Sequence, residues 1–248
     1  MTTFLTQFCA TPTCSDALLI FCRAPRLGAV KTRLAATLGA PLTLQLYRAM
    51  LRDCFALGRA LAPDAATAAC YTPADAFAGE SELGAQWSGA RWPQRGGDLG
   101  ARMLNALRDV RAQGFERAII IGSDAPDLPL DYLRAAFALL RENDVVVGPS
   151  LDGGFVLIGA ARPVPDAIFD GIIWSRADVC ARLQRNLRAQ NLKFARLESW
   201  RDVDELADLQ ALRERLQNAD ASVARATREV VGQFSSNDAF FTREAQPF

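Results

Sequence analysis

The chain has 248 residues, half of them hydrophobic and 23% charged, with 28 basic and 28 acidic side chains that cancel at neutral pH. Such a composition builds a sizeable core and excludes a disordered chain, and the balanced charge removes any general electrostatic reason to bind nucleic acid or an anionic membrane. Histidine is absent, which excludes Ser-His-Asp and Cys-His catalysis, His-ligated zinc and an imidazole base.

Chemistry here must use carboxylates, Lys, Arg, hydroxyls, thiols or a bound metal. Among the basic residues only Lys31 and Lys193 are lysines. The cysteines at 9, 14, 22, 54, 70 and 180 form no C-x-x-C pair and no zinc spacing, as expected of free thiols in a reducing compartment. Met1–Asp16 lacks the basic start and apolar core of a signal peptide, and no apolar run approaches transmembrane length. The expectation is a cytoplasmic protein without membrane insertion.

In chain order, residues 1–16 read as a flexible leader. Ala17–Cys22 reads as a first buried strand, followed by the cationic loop Arg23–Arg33. From Pro41 to about Leu61, apolar residues recur at 46, 47, 50, 51, 54, 55, 58 and 61, the spacing of an amphipathic helix. Ala65–Tyr71 suits a second strand, and a loosely patterned stretch runs on to Gln94-Arg95-Gly96-Gly97-Asp98. Leu99, Met103, Leu107 and Val110 mark the inner face of another helix, ending near Gly114.

The run Ala118–Ile121 then leads into Gly122-Ser123-Asp124-Ala125-Pro126-Asp127. A continuous apolar run of this kind suits a strand buried on both faces of a parallel sheet. A helix is expected from Pro129 to Arg141, and strands at 144–148 and 155–159 flank Asp152-Gly153-Gly154. A helix to about Gln190, a strand at 193–197 and a leucine-lined helix opened by Trp200–Asp204 complete a domain at 17–217. Residues 218–248 read as a partly helical tail, with a weak helix at 223–234. Alternating strands and helices argue for one α/β domain with a mostly parallel sheet. The loops at 23–33, 94–100, 122–127 and 149–154 then fall on one sheet edge, where ligands gather.

Each of these loops has a chemical and a plain reading. Arg23, Arg26, Lys31 and Arg33 around Gly28 suit a phosphate, or make a solvated basic loop. The loop is not a Walker A motif, because Gly28 stands three residues before Lys31, and G-x-G-x-x-G is missing. Asp124, Asp152, Asp202 and Asp204 suit a hard cation such as Mg²⁺ or Mn²⁺ as oxygen ligands, while Ser123-Asp124-Ala125-Pro126 reads equally as a turn and cap before the next helix. Asp202 and Asp204 serve equally as caps of the last helix. Gln94 and Gly97 suit a base or ribose, with Asp98 otherwise an N-cap. Asp152-Gly153-Gly154 is a ligand-approaching loop or a tight turn. Trp174-Ser175 is an acceptor-side wall or core.

Phe21–Leu34, Gly97-Asp98-Leu99-Gly100-Ala101-Arg102-Met103, Gly122–Pro126, Asp152-Gly153-Gly154-Phe155 and Trp200–Asp204 occur in order across residues 17–216. This set resembles a GT-A-like family of radical-SAM/selenodomain-associated transferases, or glycosyltransferases. The family is similar to nucleotide-diphospho-sugar transferases and to 2-phospho-lactate and molybdenum-cofactor guanylyltransferases. Val156 departs from the aromatic pair that often follows the Asp-Gly-Gly of the family.

The resemblance implies a three-layer α/β/α sandwich and a metal-dependent glycosyltransferase using a nucleotide sugar and a small-molecule acceptor. It implies a nucleotide site at Arg23, Pro25, Gly28, Lys31, Thr32, Arg33, Gln94, Gly97, Asp98 and Ser123. Asp124, Asp202 and Asp204 would hold Mg²⁺ or Mn²⁺, Lys31 would offset phosphate charge, and Asp152 would be the base of an inverting reaction. A nucleotidyltransferase releasing pyrophosphate and a non-catalytic nucleotide-binding subunit are the alternatives, with a homodimer as a candidate assembly.

Overall fold

The computed structural model describes residues 14–78 and 81–234. Its centre is β1 (Asp16–Arg23), in which every residue but the last is buried. Successive side chains of a strand point to opposite faces, and both faces of β1 are covered. Leu18, Ile20 and Cys22 enter one core cluster, while Ala17, Leu19 and Phe21 enter another. β4 (Arg117–Ile121) repeats the pattern, with Ile119 and Ile121 on one side and Ala118 and Ile120 on the other.

Seven strands form the sheet in the order β3-β2-β1-β4-β6-β5-β7. β2 (Ala66–Thr72) and β3 (Ala90–Pro93) extend one side; β5 (Val145–Pro149), β6 (Phe155–Ala160) and β7 (Phe194–Arg196) extend the other. Register places Leu19 between Ala68 and Ile120. All neighbours are parallel except β6, which runs antiparallel to both β4 and β5. Double reversal leaves β5 parallel to β4, so the loop after β5 reaches the same edge as the loops after β1, β3 and β4.

The helix α2 (Ala40–Ala60) lays Tyr47, Leu51, Cys54 and Phe55 on one sheet face beside α5 (Leu130–Leu139). On the opposite face lie α4 (Leu99–Ala112) and α6 (Val179–Ala189), through Met103, Leu104, Leu107, Leu183 and Leu187. The result is the expected three-layer α/β/α sandwich with a mostly parallel sheet.

Two local expectations are corrected, and one element is added. The cationic loop ends earlier, because α1 (Thr32–Leu38) begins within it. The loosely patterned stretch contains α3 (Glu82–Gln86) and then β3, a four-residue edge strand whose Pro93 obscures the pattern. The segment before α6 holds a short 3₁₀ turn at Asp166–Phe169.

α2 also has a second buried face. Leu46, Ala49 and Met50 meet Leu34 of α1, Leu209, Leu212 and Leu216 of α7 (Leu206–Asn218), and Val230 and Val231 of α8 (Arg225–Val231). Asp53 of α2 is buried and accepts the backbone N–H groups of Ala226 (3.0 Å) and Thr227 (2.7 Å) at the start of α8. Part of the expected tail therefore packs against the domain. Residues 1–13 of the leader, with Cys9, and Phe240, Phe241 and Phe248 of the tail lie outside the described residues. Within them the five cysteines are unbridged, and no helix is long and apolar enough to cross a membrane.

Candidate functional site

A cleft of about 970 Å³ opens at the edge where β1, β3, β4 and β5 end. The loop after β1 reaches it through Lys31, the residue before α1, whose backbone is left-handed (φ +47°). Its side chain is only 7% exposed and points between two carboxylates. Nζ lies 2.6 Å from Asp124 Oδ1 and 2.7 Å from Asp204 Oδ1. Asp124 stands just beyond β4, and Asp204 comes from the segment before α7.

Backbone pairing brings these distant segments together. Val203 N–H donates to the Asp124 carbonyl (2.9 Å), while Trp200 N–H donates to the Pro149 carbonyl (2.9 Å) and the Trp200 carbonyl accepts from Leu151 N–H (3.0 Å). Asp202 is drawn into the same corner, where its Oδ1 accepts from the Ser150 hydroxyl (2.7 Å).

The charges in this corner oppose one another. Burial works against the Lys31 ammonium, but Asp124 and Asp204 outweigh it and hold the lysine above its ordinary range. Burial alone would raise the Asp204 carboxyl, yet Lys31 and then Arg33 bring it below the usual value. Asp202 has no such cation. Burial raises its carboxyl, the Ser150 hydroxyl offsets part of that, and nearby Asp152 and Asp204 add to the rise.

Of the residues expected at the site, Arg23, Lys31, Thr32, Arg33, Gln94, Asp98, Ser123, Asp124, Asp152, Asp202 and Asp204 line the cleft. Pro25, Gly28 and Gly97 do not. Pro25 is buried, Gly28 forms an outward turn with no neighbour where a side chain would stand, and Gly97 faces open space.

Several lining groups already have structural partners. Asp98 caps α4 by accepting from Ala101 N–H (2.8 Å). The Gln94 amide donates to the Cys70 carbonyl (2.9 Å) and the Cys22 carbonyl (3.4 Å), tying three strand ends together. Asp152 Oδ1 accepts from Gly154 N–H (2.8 Å) at the β5–β6 hairpin. Gly153 has φ +92°, and a Cβ there would lie 1.9 Å from the Ala177 carbonyl oxygen, so the hairpin requires glycine.

Two contributors, Tyr47 and Arg102, were not evident as site residues. Tyr47, on the inner face of α2, accepts from Arg23 N–H (2.9 Å), and its hydroxyl lies 3.2 Å from Ser123 Oγ. The signal was a tyrosine on an apolar stripe, whose buried hydroxyl requires a partner. Arg102, one turn into α4, lines the cleft and donates to the Gly96 carbonyl (3.2 Å). Trp174 is wall and core at once, since it lines the cleft while packing against Phe155 and Phe169 with centroids 6.4 and 5.7 Å apart.

Among the described residues, no three His, Cys, Asp or Glu side chains gather into a metal cluster. Asp124 and Asp204 nonetheless converge on one ammonium. Two carboxylates suit Mg²⁺ or Mn²⁺ when substrate phosphates and water complete the shell.

Comparison with known proteins agrees with this architecture. A family described as "Uncharacterized protein conserved in bacteria" (DUF2064) matches residues 56–176. A candidate nucleotide-diphospho-sugar transferase from Desulfovibrio desulfuricans G20 is 31% identical, with a TM-score of 0.82 over 92% of this chain and 96% of that one. A nucleotidyl transferase from Methanothermobacter thermautotroptrophicus shares the fold, with a TM-score of 0.53 at 16% identity over 83% and 99% of the two chains. Phosphoenolpyruvate guanylyltransferase of Chloroflexus aggregans (strain MD-66 / DSM 9485) is 29% identical over 110 residues, 44% of this chain. That match spans only 54% of the curated relative's length. The relatives are transferases of the nucleotidyl and sugar-nucleotide classes, and this chain has their fold.

Proposed function

We propose that this chain, a relative of the Desulfovibrio protein along nearly its whole length and matched by the DUF2064 family over residues 56–176, is a metal-dependent transferase that takes a nucleotide sugar as donor. The observation that carries the reading is the meeting of Lys31, Asp124 and Asp204 at one point of the cleft. One cation-bearing loop and two carboxylates from separate segments suit a diphosphate leaving group. The Desulfovibrio relative, similar along nearly its whole length, supports a nucleotide sugar in particular.

Asp124 and Asp204 would hold Mg²⁺ or Mn²⁺, with Asp202 close by. When bound, the cation would neutralise charge on the diphosphate oxygens. Lys31, with Arg23 and Arg33, would bind the phosphates and offset charge growing on the leaving group. The bond between sugar carbon and diphosphate oxygen breaks as the acceptor oxygen bonds to that carbon. In an inverting reaction the acceptor proton passes to a carboxylate, and Asp152 on the hairpin is the candidate. Without histidine, the catalytic advantage would rest on positioning and fixed charge.

A second reading, nucleotidyl transfer, is favoured by the guanylyltransferase relative. There an acceptor oxygen attacks the α-phosphate of a nucleoside triphosphate, and pyrophosphate leaves to the same cation corner. The experiment is a thermal-shift screen of nucleotides and nucleotide sugars with and without Mn²⁺, on wild type and Asp124→Ala. Stabilisation that needs Mn²⁺ and disappears in Asp124→Ala supports the site. Stabilisation by no ligand, or one indifferent to both changes, overturns it. Release of pyrophosphate from a nucleoside triphosphate with an acceptor would select the second reading.

A further inference from the structure

We propose that Lys31 is the resident counterion of the Asp124–Asp204 seat and yields it to a divalent cation only when a phosphate group takes over the lysine. Metal and nucleotide would then bind together rather than in either order. This inference rests on the reading of the cleft as a nucleotide-phosphate site.

The argument begins with exposure. The Lys31 side chain is 7% exposed, whereas Asp124 and Asp204 are 41% and 40% exposed. The ammonium lies beneath two carboxylates that still face the cleft. A cation arriving from the cleft would compete for oxygens that Lys31 already holds at 2.6 and 2.7 Å. If those carboxylates turned to a metal, the lysine would remain almost buried, unpaired and beside a second positive charge. Such an uncompensated buried charge is strongly unfavourable.

A phosphate removes the difficulty, because it offers Lys31 new anionic oxygens and offers the metal the ligands that two carboxylates leave vacant. Each cation then keeps an anionic partner throughout the exchange. Composition points the same way. A chain that has only two lysines among its 28 basic residues places one of them here, a compact charge on a flexible stem. A guanidinium would grip a carboxylate with two fixed bonds and resist the exchange.

The presence of only two lysines makes the test direct. With ¹³Cε-labelled lysine, the full-length protein should show two lysine signals, with exposed Lys193 as internal reference. Mg²⁺ alone should leave the Lys31 signal in place, and Mg²⁺ with pyrophosphate should shift it while Lys193 stays. In a parallel measurement, paramagnetic resonance of free Mn²⁺ should show Lys31→Met binding Mn²⁺ alone at least tenfold more tightly than wild type.

A Lys31 signal that moves with Mg²⁺ alone overturns the proposal. So does equal Mn²⁺ affinity in wild type and Lys31→Met, and if Asp124→Asn abolishes that affinity the metal site itself survives. No response of the wild type to pyrophosphate with Mg²⁺, joined to no Mn²⁺ binding by Lys31→Met, overturns both this proposal and the phosphate-site reading. The wild-type spectra need no variant, so the test stands even if Lys31→Met fails to fold.

Discussion

Asp124 and Asp127 sit three residues apart in the loop after β4 and meet opposite fates. The Asp127 side chain is 4% exposed and is gripped by Arg215, with Nε 2.7 Å from Oδ2 and Nη2 3.3 Å from Oδ1. The Trp200 indole N–H, 3.3 Å from Oδ1, completes its set. Asp124 is 41% exposed, and its carboxylate shares one lysine with Asp204. A carboxylate closed in by a guanidinium fork and an indole fastens α7 to the sheet. One left open to a cleft and paired with a single ammonium is free to exchange partners.

The strongest way to break this comparison is to neutralise the open carboxylate. Asp124→Asn should lower transfer by about 10²–10³-fold, measured with the nucleotide sugar that the ligand screen returns, while the urea midpoint moves little. A variant with near-normal turnover would remove Asp124 from the site. Asp127→Ala should show the reverse pattern, losing about 3 kcal/mol of stability in urea unfolding, because Arg215 is left without its counterion. A loss below about 1 kcal/mol would show that the closed pair is not a structural fastening.

Gly153→Ala sharpens the contrast at the hairpin. A left-handed residue whose Cβ would overlap the Ala177 carbonyl should cost on the order of 2 kcal/mol, and unchanged thermal unfolding would refute the close approach. Asp53→Ala should cost about 1–2 kcal/mol, since two N–H groups of α8 lose their acceptor. Hydrogen exchange confined to 225–231 would locate the effect, and unchanged protection there would count against it.

The smallest effect concerns pH. Asp204 is held below its ordinary value of 3.8 because Lys31 and Arg33 outweigh its burial. The stability from that pairing is complete above about 3.8 and is lost as pH falls through the lower folded value. The gap in Tm between wild type and Lys31→Met should therefore narrow as pH falls from about 5 to about 3. A constant gap would mean that the pair contributes nothing to folding.

Much of the sheet was legible in the chain itself. Ala17–Cys22 and Ala118–Ile121 are apolar at consecutive positions, which suits strands covered on both faces, and both lie at the sheet centre. The stripe at 46–58 was equally clear, although its residues divide between two faces of α2, one on the sheet and one on α1, α7 and α8. What escaped was short or at an edge. β3 has four residues and ends in proline, while α1 and α3 have seven and five residues, too few for a periodic pattern. At the site, Asp98, Asp152 and Gln94 lie on the expected loops with caps or backbone bonds of their own.

Strand and helix periodicity, a local property of ten or twenty residues, was enough to read a mostly parallel α/β domain and the loops that carry charge, while the three layers followed from the family resemblance. The sequence by itself could also name Lys31, Asp124 and Asp204 as candidates one by one. Only the tertiary structure decided that they meet. Lys31 and Asp204 are 173 positions apart, and their contact depends on the parallel order of β1, β4 and β5 and on Val203 pairing with the Asp124 carbonyl. It also decided that Asp127 faces Arg215, 88 positions away, while Asp124 faces the cleft. Two aspartates in one loop read alike in sequence, and the packing of α7 against that loop separates them.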